Sequence, residues 1–345
     1  MRRWSRRAVL GGAATVAAVG TVGCAGVRRD VGGTDRRGAT TDETGTETTG
    51  DATRVGDAPA VTPDSVTVGA KNFAENRILG RMAAITLRER TDRRVQTAIP
   101  SGYDEPNWIA LTEGRLDCYW EYTGTIYLSF EPTHESAPDD PAALYDAVVE
   151  EAAEQGVTVF PRAPFDNTFV MLAGADWRER TGVETLSDFA AYVNAGNTDV
   201  DVAVGNDFLD RPDGWPGLVD HYEFDEAALT ALDDEISAVP LGITYELYER
   251  GDADVVMGFN TDPQIHRTDL AVLTDDRDFF PTYNPIPVAD VGVVGPNTRA
   301  GERLAELGPA FDGVETIRRL NGRVVVDGDD PATVAREFLE NEGLL

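Results

Sequence analysis

Phe160-Pro161-Arg162-Ala163-Pro164-Phe165 is the stretch that decides the fold, and Asn260-Thr261-Asp262-Pro263 is its counterpart later in the chain. Two prolines in six residues exclude a regular helix or strand over 160–165, because proline lacks the backbone N–H that both structures use. Each stretch directly follows a strand-like run. We therefore expect the chain to cross between two lobes at these places, with lobe I at 66–163 and 261–345 and lobe II at 164–260.

Short apolar runs alternate with segments of helical periodicity in both lobes. We predict strands at 66–70, 95–99, 116–120, 157–160, 168–173, 200–204, 236–240, 254–259, 270–273 and 288–294. We predict helices at 76–90, 107–113, 141–155, 186–195, 215–222, 242–250, 299–307, 312–321 and 331–342. This alternation predicts an α/β fold with largely parallel sheets flanked by helices. A cleft between two such lobes, joined by few strands, is a suitable place for a small molecule.

The charge composition is strongly acidic. The chain has 61 Asp and Glu against 30 Lys and Arg, a formal net charge of −31. Such a surface repels nucleic acid and anionic lipid, so neither is expected as a partner. Lys71 is the only lysine. An acid-rich, lysine-poor chain is what we expect of a protein that works in high salt, although a coding bias toward arginine would also produce it.

The N-terminal segment has the features of an export signal. Ser5-Arg6-Arg7-Ala8-Val9-Leu10 is a twin-arginine pattern, and the small-residue apolar run that follows is too short to span a bilayer. We predict a lipoprotein signal peptide at 1–23, a lipid on Cys24 and a polar tether at 24–65, which would hold the protein on the extracytoplasmic face of the cell membrane by the lipid alone. An ordinary signal peptide with a chance cysteine is the alternative. We expect the remaining cysteine, Cys118, to be a buried apolar residue.

The sequence lacks the patterns of catalytic and metal sites. Its three histidines are scattered, its acidic runs have no calcium-loop pattern, and a nucleophile elbow, a phosphate loop and a dinucleotide fingerprint are all missing. We therefore expect no catalysis, cofactor or metal.

Turns at predicted strand ends carry the candidate site, because ligands of α/β sheets bind just beyond the strand ends. These turns contain aromatic, cationic and amide residues; they are Ala70–Phe73, Tyr119–Thr125, Asp166–Phe169, Arg211–Trp215, Gly242–Tyr245 and Gly258–Asp262. A quaternary ammonium has no N–H to donate and is bound by aromatic faces, whereas a carboxylate needs cationic, hydroxyl or amide donors. The turns supply both sets, although a single aromatic residue taken alone is more often part of the core than of a binding site.

Five motifs, four of which lie in or overlap these turns, resemble the glycine betaine/carnitine/choline-binding proteins of osmoprotectant ABC importers. The motifs are Gly69–Glu75, Glu121-Tyr-Thr-Gly-Thr125, Arg211-Pro-Asp-Gly214, Phe259-Asn-Thr-Asp262 and Phe280-Pro-Thr-Tyr283, and the resemblance extends over 66–345. It implies the type II periplasmic-binding fold, a small quaternary-ammonium ligand in the cleft, and delivery of that ligand to a membrane permease.

The resemblance also implies roles for individual residues. Lys71 and Arg211 are candidates for the ligand's carboxylate or the contact between lobes, and Tyr122 and Phe169 for an aromatic box around its ammonium group. The full set of implied ligand-binding residues is Lys71, Asn72, Tyr122, Thr125, Asn167, Phe169, Arg211, Tyr245, Phe259 and Thr261, with Trp215 and Tyr222 as substitutes for the last box members.

Two positions depart from the family pattern, with Phe169 in place of a tyrosine and Pro263 in place of a glycine. Three other functions stay open: a binding protein for another polar solute such as an amino acid, a sensory binding protein, and an extracytoplasmic enzyme on the same lobes.

Overall fold

The computed structural model describes residues 65–102, 104–240 and 242–345. Its strands are β1 (Ser65–Lys71), β2 (Arg94–Gly102), β3 (Cys118–Tyr122), β4 (Val157–Val159), β5 (Phe169–Gly174), β6 (Val202–Gly205), β7 (Ile236–Val239), β8 (Val255–Phe259), β9 (Leu270–Val272) and β10 (Pro285–Asp290). Its helices are α1 (Ala74–Arg90), α2 (Asp104–Thr112), α3 (Thr123–Ser129), α4 (Pro141–Glu154), α5 (Ala175–Thr181), α6 (Leu186–Asn194), α7 (Trp215–His221), α8 (Glu226–Leu232), α9 (Ile243–Arg250), α10 (Arg299–Ala305), α11 (Val314–Val325) and α12 (Pro331–Asn341). The predicted signal peptide, Cys24 and the tether up to residue 64 lie outside the described residues.

The strands form two sheets, ordered β2-β1-β3-β10-β4 and β7-β6-β8-β5-β9. The α/β class is confirmed, but the sheets are mixed, because β10 is antiparallel to β3 and β4 and β5 is antiparallel to β8 and β9. β5 and β10 are the strands that enter a sheet directly from the other lobe. Antiparallel neighbours need no helical crossover, so a strand arriving this way can pair in the opposite direction.

Residues 160–168, which include the Phe160–Phe165 stretch, connect β4 in the first sheet to β5 in the second and are called the first crossing below. The predicted second crossing at 261 is wrong. After Asn260–Pro263 the chain stays with the second sheet, where β9 pairs with β5, and it returns to the first sheet only through residues 273–284. The turn at Pro263 interrupts the chain between two strands of one sheet. We use lobe II for the part of the chain around the second sheet, residues 164–272, and lobe I for the rest of the described chain.

Helix α1 shows why these segments fold as they do. Its apolar residues recur at helical spacing, and Ile78, Leu79 and Met82 are fully buried against the first sheet and the C-terminal helices. Cys118 is buried as a free thiol, as predicted, and burial raises the pKa of that thiol. Helices α3, α5 and α8 were not predicted. Within the described part, no helix has both the length and the apolar character needed to cross a membrane.

Candidate functional site

An aromatic cluster surrounds Phe169 at the start of β5. Phe169 pairs in register with Phe259, the last residue of β8, which brings their ring centroids to 5.1 Å. The Phe208 ring lies 5.2 Å from Phe169, and the rings of Phe280 and Tyr283 lie 6.3 Å from it. Phe169, Phe259 and Phe280 are only half-buried, so part of each ring remains accessible. The rings of Phe280 and Tyr283 come from residues 273–284, the segment that returns to lobe I.

Arg211 adds a cation to this cluster. Its guanidinium carbon lies 5.4 Å from the Phe169 ring centroid, and its Nε and Nη2 donate to the two carboxylate oxygens of Asp213. The Tyr283 hydroxyl donates to the same carboxylate. Burial opposes ionisation of Asp213, but the hydrogen bonds and charge of Arg211 outweigh it, so the pKa of Asp213 lies below its ordinary value. The cluster thus presents aromatic faces and a guanidinium side by side.

Lys71 lies in a second group of polar residues, at the end of β1. It is 2% exposed, forms a salt bridge with the buried Glu121, and its Nζ lies 4.7 Å above the Tyr122 ring. The other Glu121 oxygen accepts from the Tyr119 hydroxyl at 2.9 Å. In this structure the lysine ammonium is thus enclosed by its own chain, a different arrangement from the ligand contact that the resemblance implies.

Glu75 connects Tyr122 to the first crossing and to α11. Its Oε1 accepts from the Tyr122 hydroxyl at 2.8 Å and from Asn167 Nδ2 at 3.0 Å, and its Oε2 accepts from Asn321 Nδ2 at 3.2 Å. Burial raises the pKa of Glu75, and hydrogen bonds from Thr261, Tyr122 and Asn321 act in the opposite direction. Sequence reasoning missed this residue, although it stands in the Gly69–Glu75 motif.

The remaining predicted site residues lie in several places. Asn72 is exposed and accepts from Arg77, and Thr125 is buried in the first turn of α3. Tyr245 packs with Val170 and Leu172, on the opposite face of the second sheet from Phe169, and its hydroxyl donates to Asp262 at 2.7 Å. The two proposed substitutes, Trp215 and Tyr222, belong to the core of lobe II.

Seven of the ten predicted ligand-binding residues fall into two groups. Phe169, Phe259 and Arg211 lie together in the aromatic cluster, while Lys71, Tyr122, Asn167 and Thr261 surround or adjoin Glu75. The groups are neighbours, because the Asn167 N–H donates to the Tyr283 carbonyl at 3.1 Å.

Phe208, Phe280, Tyr283 and Asp213 are members of the cluster that the predicted site lacks. The Phe280–Tyr283 and Arg211–Gly214 motifs contained three of them. Phe208 follows β6, and its sequence context carried no signal. Among the described residues, no group of three or more His, Cys, Asp or Glu side chains could hold a metal ion.

Comparisons with known proteins agree with the motif resemblance. The family model described as the substrate binding domain of ABC-type glycine betaine transport systems matches residues 64–341. The chain is 31% identical over 290 residues to the chemotactic signal transduction system substrate-binding protein CosB of Halobacterium salinarum, covering 81% of this chain and 85% of that protein. It is 28% identical over 295 residues to a glycine-betaine-binding protein of Pseudomonas aeruginosa, covering 82% and 89% of the two chains.

A solved structure of a glycine betaine/carnitine/choline ABC transporter shares the fold, with a TM-score of 0.68 at 23% identity, covering 81% of this chain and 99% of the other. Members of the matched family are transport substrate-binding domains, which is consistent with a chain that is not an enzyme. The chain belongs to the family of substrate-binding domains of ABC-type glycine betaine transport systems.

Proposed function

We propose that this chain binds a small quaternary-ammonium solute, such as glycine betaine, choline or carnitine, between its lobes and delivers it to a membrane permease. The observation that carries the proposal is the aromatic cluster with Arg211 at its edge. A trimethylammonium group is attracted to ring faces, each contributing about 0.5–2 kcal/mol when desolvated. The guanidinium of Arg211 already lies over Phe169, so this ring accepts a cation in the folded protein.

The proposal assigns the anionic end of the solute to Arg211. An arginine can bind a carboxylate with two parallel hydrogen bonds, as Arg211 does with Asp213. Arg211 is also about one-third exposed, whereas Lys71 is enclosed against Glu121. Lys71 and Tyr122 then support the site from lobe I, Asn167 from the first crossing and Thr261 from the turn after β8. Tyr245 has a supporting role as well, through Asp262.

Calorimetric titration of glycine betaine, choline, carnitine and proline tests the ligand class. Phe169→Leu removes a ring face and keeps an apolar side chain, so it should lower the affinity for every trimethylammonium solute by about ten-fold. Phe189→Leu, in the lobe II core, is the matched control and should leave affinity unchanged. If proline bound and the trimethylammonium solutes did not, the amino-acid alternative would replace this proposal.

We also propose that the protein is exported by the twin-arginine signal at 1–23 and anchored by a lipid on Cys24, with 24–65 as a tether. The support is the apolar run that ends at this cysteine. Cys24→Ser should release the protein from the membrane fraction into the medium. Unchanged membrane association of the variant would contradict the anchor.

A sensory role is the second candidate, and the similarity to CosB favours it. A sensory binding protein would present its solute to a receptor instead of a permease. Deletion of the protein separates the two functions, because an importer is needed for solute uptake and a sensor for movement toward the solute. Loss of taxis with normal uptake would assign the chain to sensing.

A further inference from the structure

Glu75 is a buried carboxylate with neutral donors on both oxygens. It stands in the first turn of α1 and is 2% exposed. Tyr122 and Asn167 donate to Oε1 at 2.8 and 3.0 Å, and Asn321 donates to Oε2 at 3.2 Å. Such an arrangement satisfies a carboxylate in a place where an unpaired one would be strongly disfavoured.

The residues around Glu75 come from lobe I, from the first crossing and from lobe II. Tyr122 ends β3 in lobe I and Asn321 lies in α11 of the same lobe, whereas Asn167 belongs to the first crossing and Thr261 follows β8 of lobe II. Asn321 Nδ2 also donates to the Thr261 carbonyl at 3.0 Å. A change in the angle between the lobes therefore strains or breaks hydrogen bonds to Glu75.

A neutral amide could not replace this carboxylate. Glutamine has one acceptor oxygen and one NH₂ group. If the NH₂ took the place of Oε1, it would face the donors of Tyr122 and Asn167, and if it took the place of Oε2, it would face the Asn321 donor. Glu75→Gln therefore removes the connection while keeping the size of the side chain.

We propose, building on the binding function above, that Glu75 is a positioning residue that couples the solute site to the movement of the lobes. Its carboxylate holds Tyr122 in place and at the same time fixes the two segments around Asn167 and Thr261. Solute binding and lobe movement then share one set of hydrogen bonds.

Hydrogen exchange of the solute-free protein tests the coupling without reference to any ligand. The amides of Asn167 and Asn260 donate to the carbonyls of Tyr283 and Thr168, so they report on the first crossing and on the turn after β8. In Glu75→Gln both amides should exchange about ten-fold faster. Asp117→Asn is the matched control. It alters another buried lobe I carboxylate, one that accepts from the Thr67 N–H, and should leave these amides unchanged.

Calorimetric titration of the variant with glycine betaine and choline is the second experiment. Because Glu75 acts through Tyr122, the first crossing and the turn after β8, Glu75→Gln should weaken the binding of glycine betaine and of choline by the same factor, about ten-fold. Unchanged exchange at Asn167 and Asn260 would overturn the coupling, whatever the affinity. If the wild-type protein bound no trimethylammonium solute, the proposed function would fail, while the exchange experiment would still decide the role of Glu75.

Asn321→Ala keeps the inference testable if Glu75→Gln does not fold. This substitution removes the donor shared by Glu75 and the Thr261 carbonyl. Exchange at 260–262 should then accelerate, and exchange at 166–168 should not. Equal exchange in the variant and the wild type at 260–262 would overturn the coupling.

Discussion

Asp262 is a residue whose ionisation lowers the stability of the folded protein. Its carboxylate accepts from the Phe259 N–H at 2.8 Å and from the Tyr245 hydroxyl at 2.7 Å. Desolvation raises the pKa of Asp262 from 3.8 to about 6, although these two hydrogen bonds oppose the shift. Because the folded-state pKa is the higher one, folding favours the protonated form. The contribution of protonated Asp262 to the free energy of unfolding is fully present below about pH 4 and is lost as the pH rises through about 6.

Asp262→Asn should therefore raise the free energy of unfolding at pH 8 by on the order of 2 kcal/mol. The loss of stability of the wild type between pH 4 and pH 7 should be smaller in the variant by the same amount. Asparagine keeps an acceptor oxygen for both donors and removes the charge. Urea unfolding at constant molar salt measures the effect. Asp139→Asn removes the same formal charge from an exposed position and is the control. An identical pH slope in the Asp262 variant and the wild type would show that this carboxylate is not the cause.

Single residues show how far the sequence could predict the site. Being the only lysine indicated that Lys71 has a specific role, and the motif placed it at the end of β1. Its partner Glu121 could not be found the same way, because the pair joins two strands fifty positions apart in the chain and nothing local connects them. Asp213 is the opposite case, since it lies two residues from Arg211 and the turn sequence already contains the pair.

At the scale of elements, strand positions followed from local patterns but strand partners did not. The run Leu270–Leu273 is recognisable as a strand, yet its pairing with β5 depends on contacts a hundred residues apart. The turn at Pro263 suggested a crossing because a proline ends a strand whichever way the chain continues. The true second crossing, 273–284, carries Phe280 and Tyr283 into the site. The error in the crossing therefore explains why these two residues were missed.

Gly124 tests the contact between α3 and this second crossing. A Cβ at Gly124 would lie 2.8 Å from the Thr282 carbonyl oxygen and 2.8 Å from the Tyr283 ring. Gly124→Ala should displace the crossing, lower the free energy of unfolding by about 1–3 kcal/mol and weaken solute binding, even though alanine favours a helix over glycine by about 1 kcal/mol. Urea unfolding and calorimetric titration measure the two effects.

The control for Gly124→Ala is Gly205→Ala, at the end of β6. A Cβ there would meet only Met257 Sδ, at 3.6 Å, which is an ordinary contact. Gly205→Ala should therefore fold and bind as the wild type does. Equal stability and affinity of the Gly124 variant and the wild type would mean that the crossing can move without cost.

At the scale of the whole molecule, charge repulsion opposes the compact state. The chain carries 61 acidic and 30 basic residues, so the folded protein concentrates a formal charge of −31 into a small volume. Ion pairs on the surface, such as Arg178–Glu184, are worth about 0–1 kcal/mol each and cannot offset this excess. Screening by salt is the remaining way to reduce the repulsion.

We therefore predict that folding depends on salt. Lowering the salt from 1 M to 0.1 M lengthens the screening distance from about 3 Å to about 10 Å, so carboxylates across the surface begin to repel one another. The melting temperature should fall steadily over this range of sodium chloride. Because the repulsion requires ionised carboxylates, the fall should be smaller at pH 4.5 than at pH 7.5. Sucrose is the control, since it favours burial by exclusion from the surface but screens no charge. If the melting temperature stayed flat from 1 M to 0.1 M salt, repulsion between carboxylates would not limit the stability of the folded protein. The same would follow if sucrose at 0.1 M salt restored the melting temperature measured at 1 M salt.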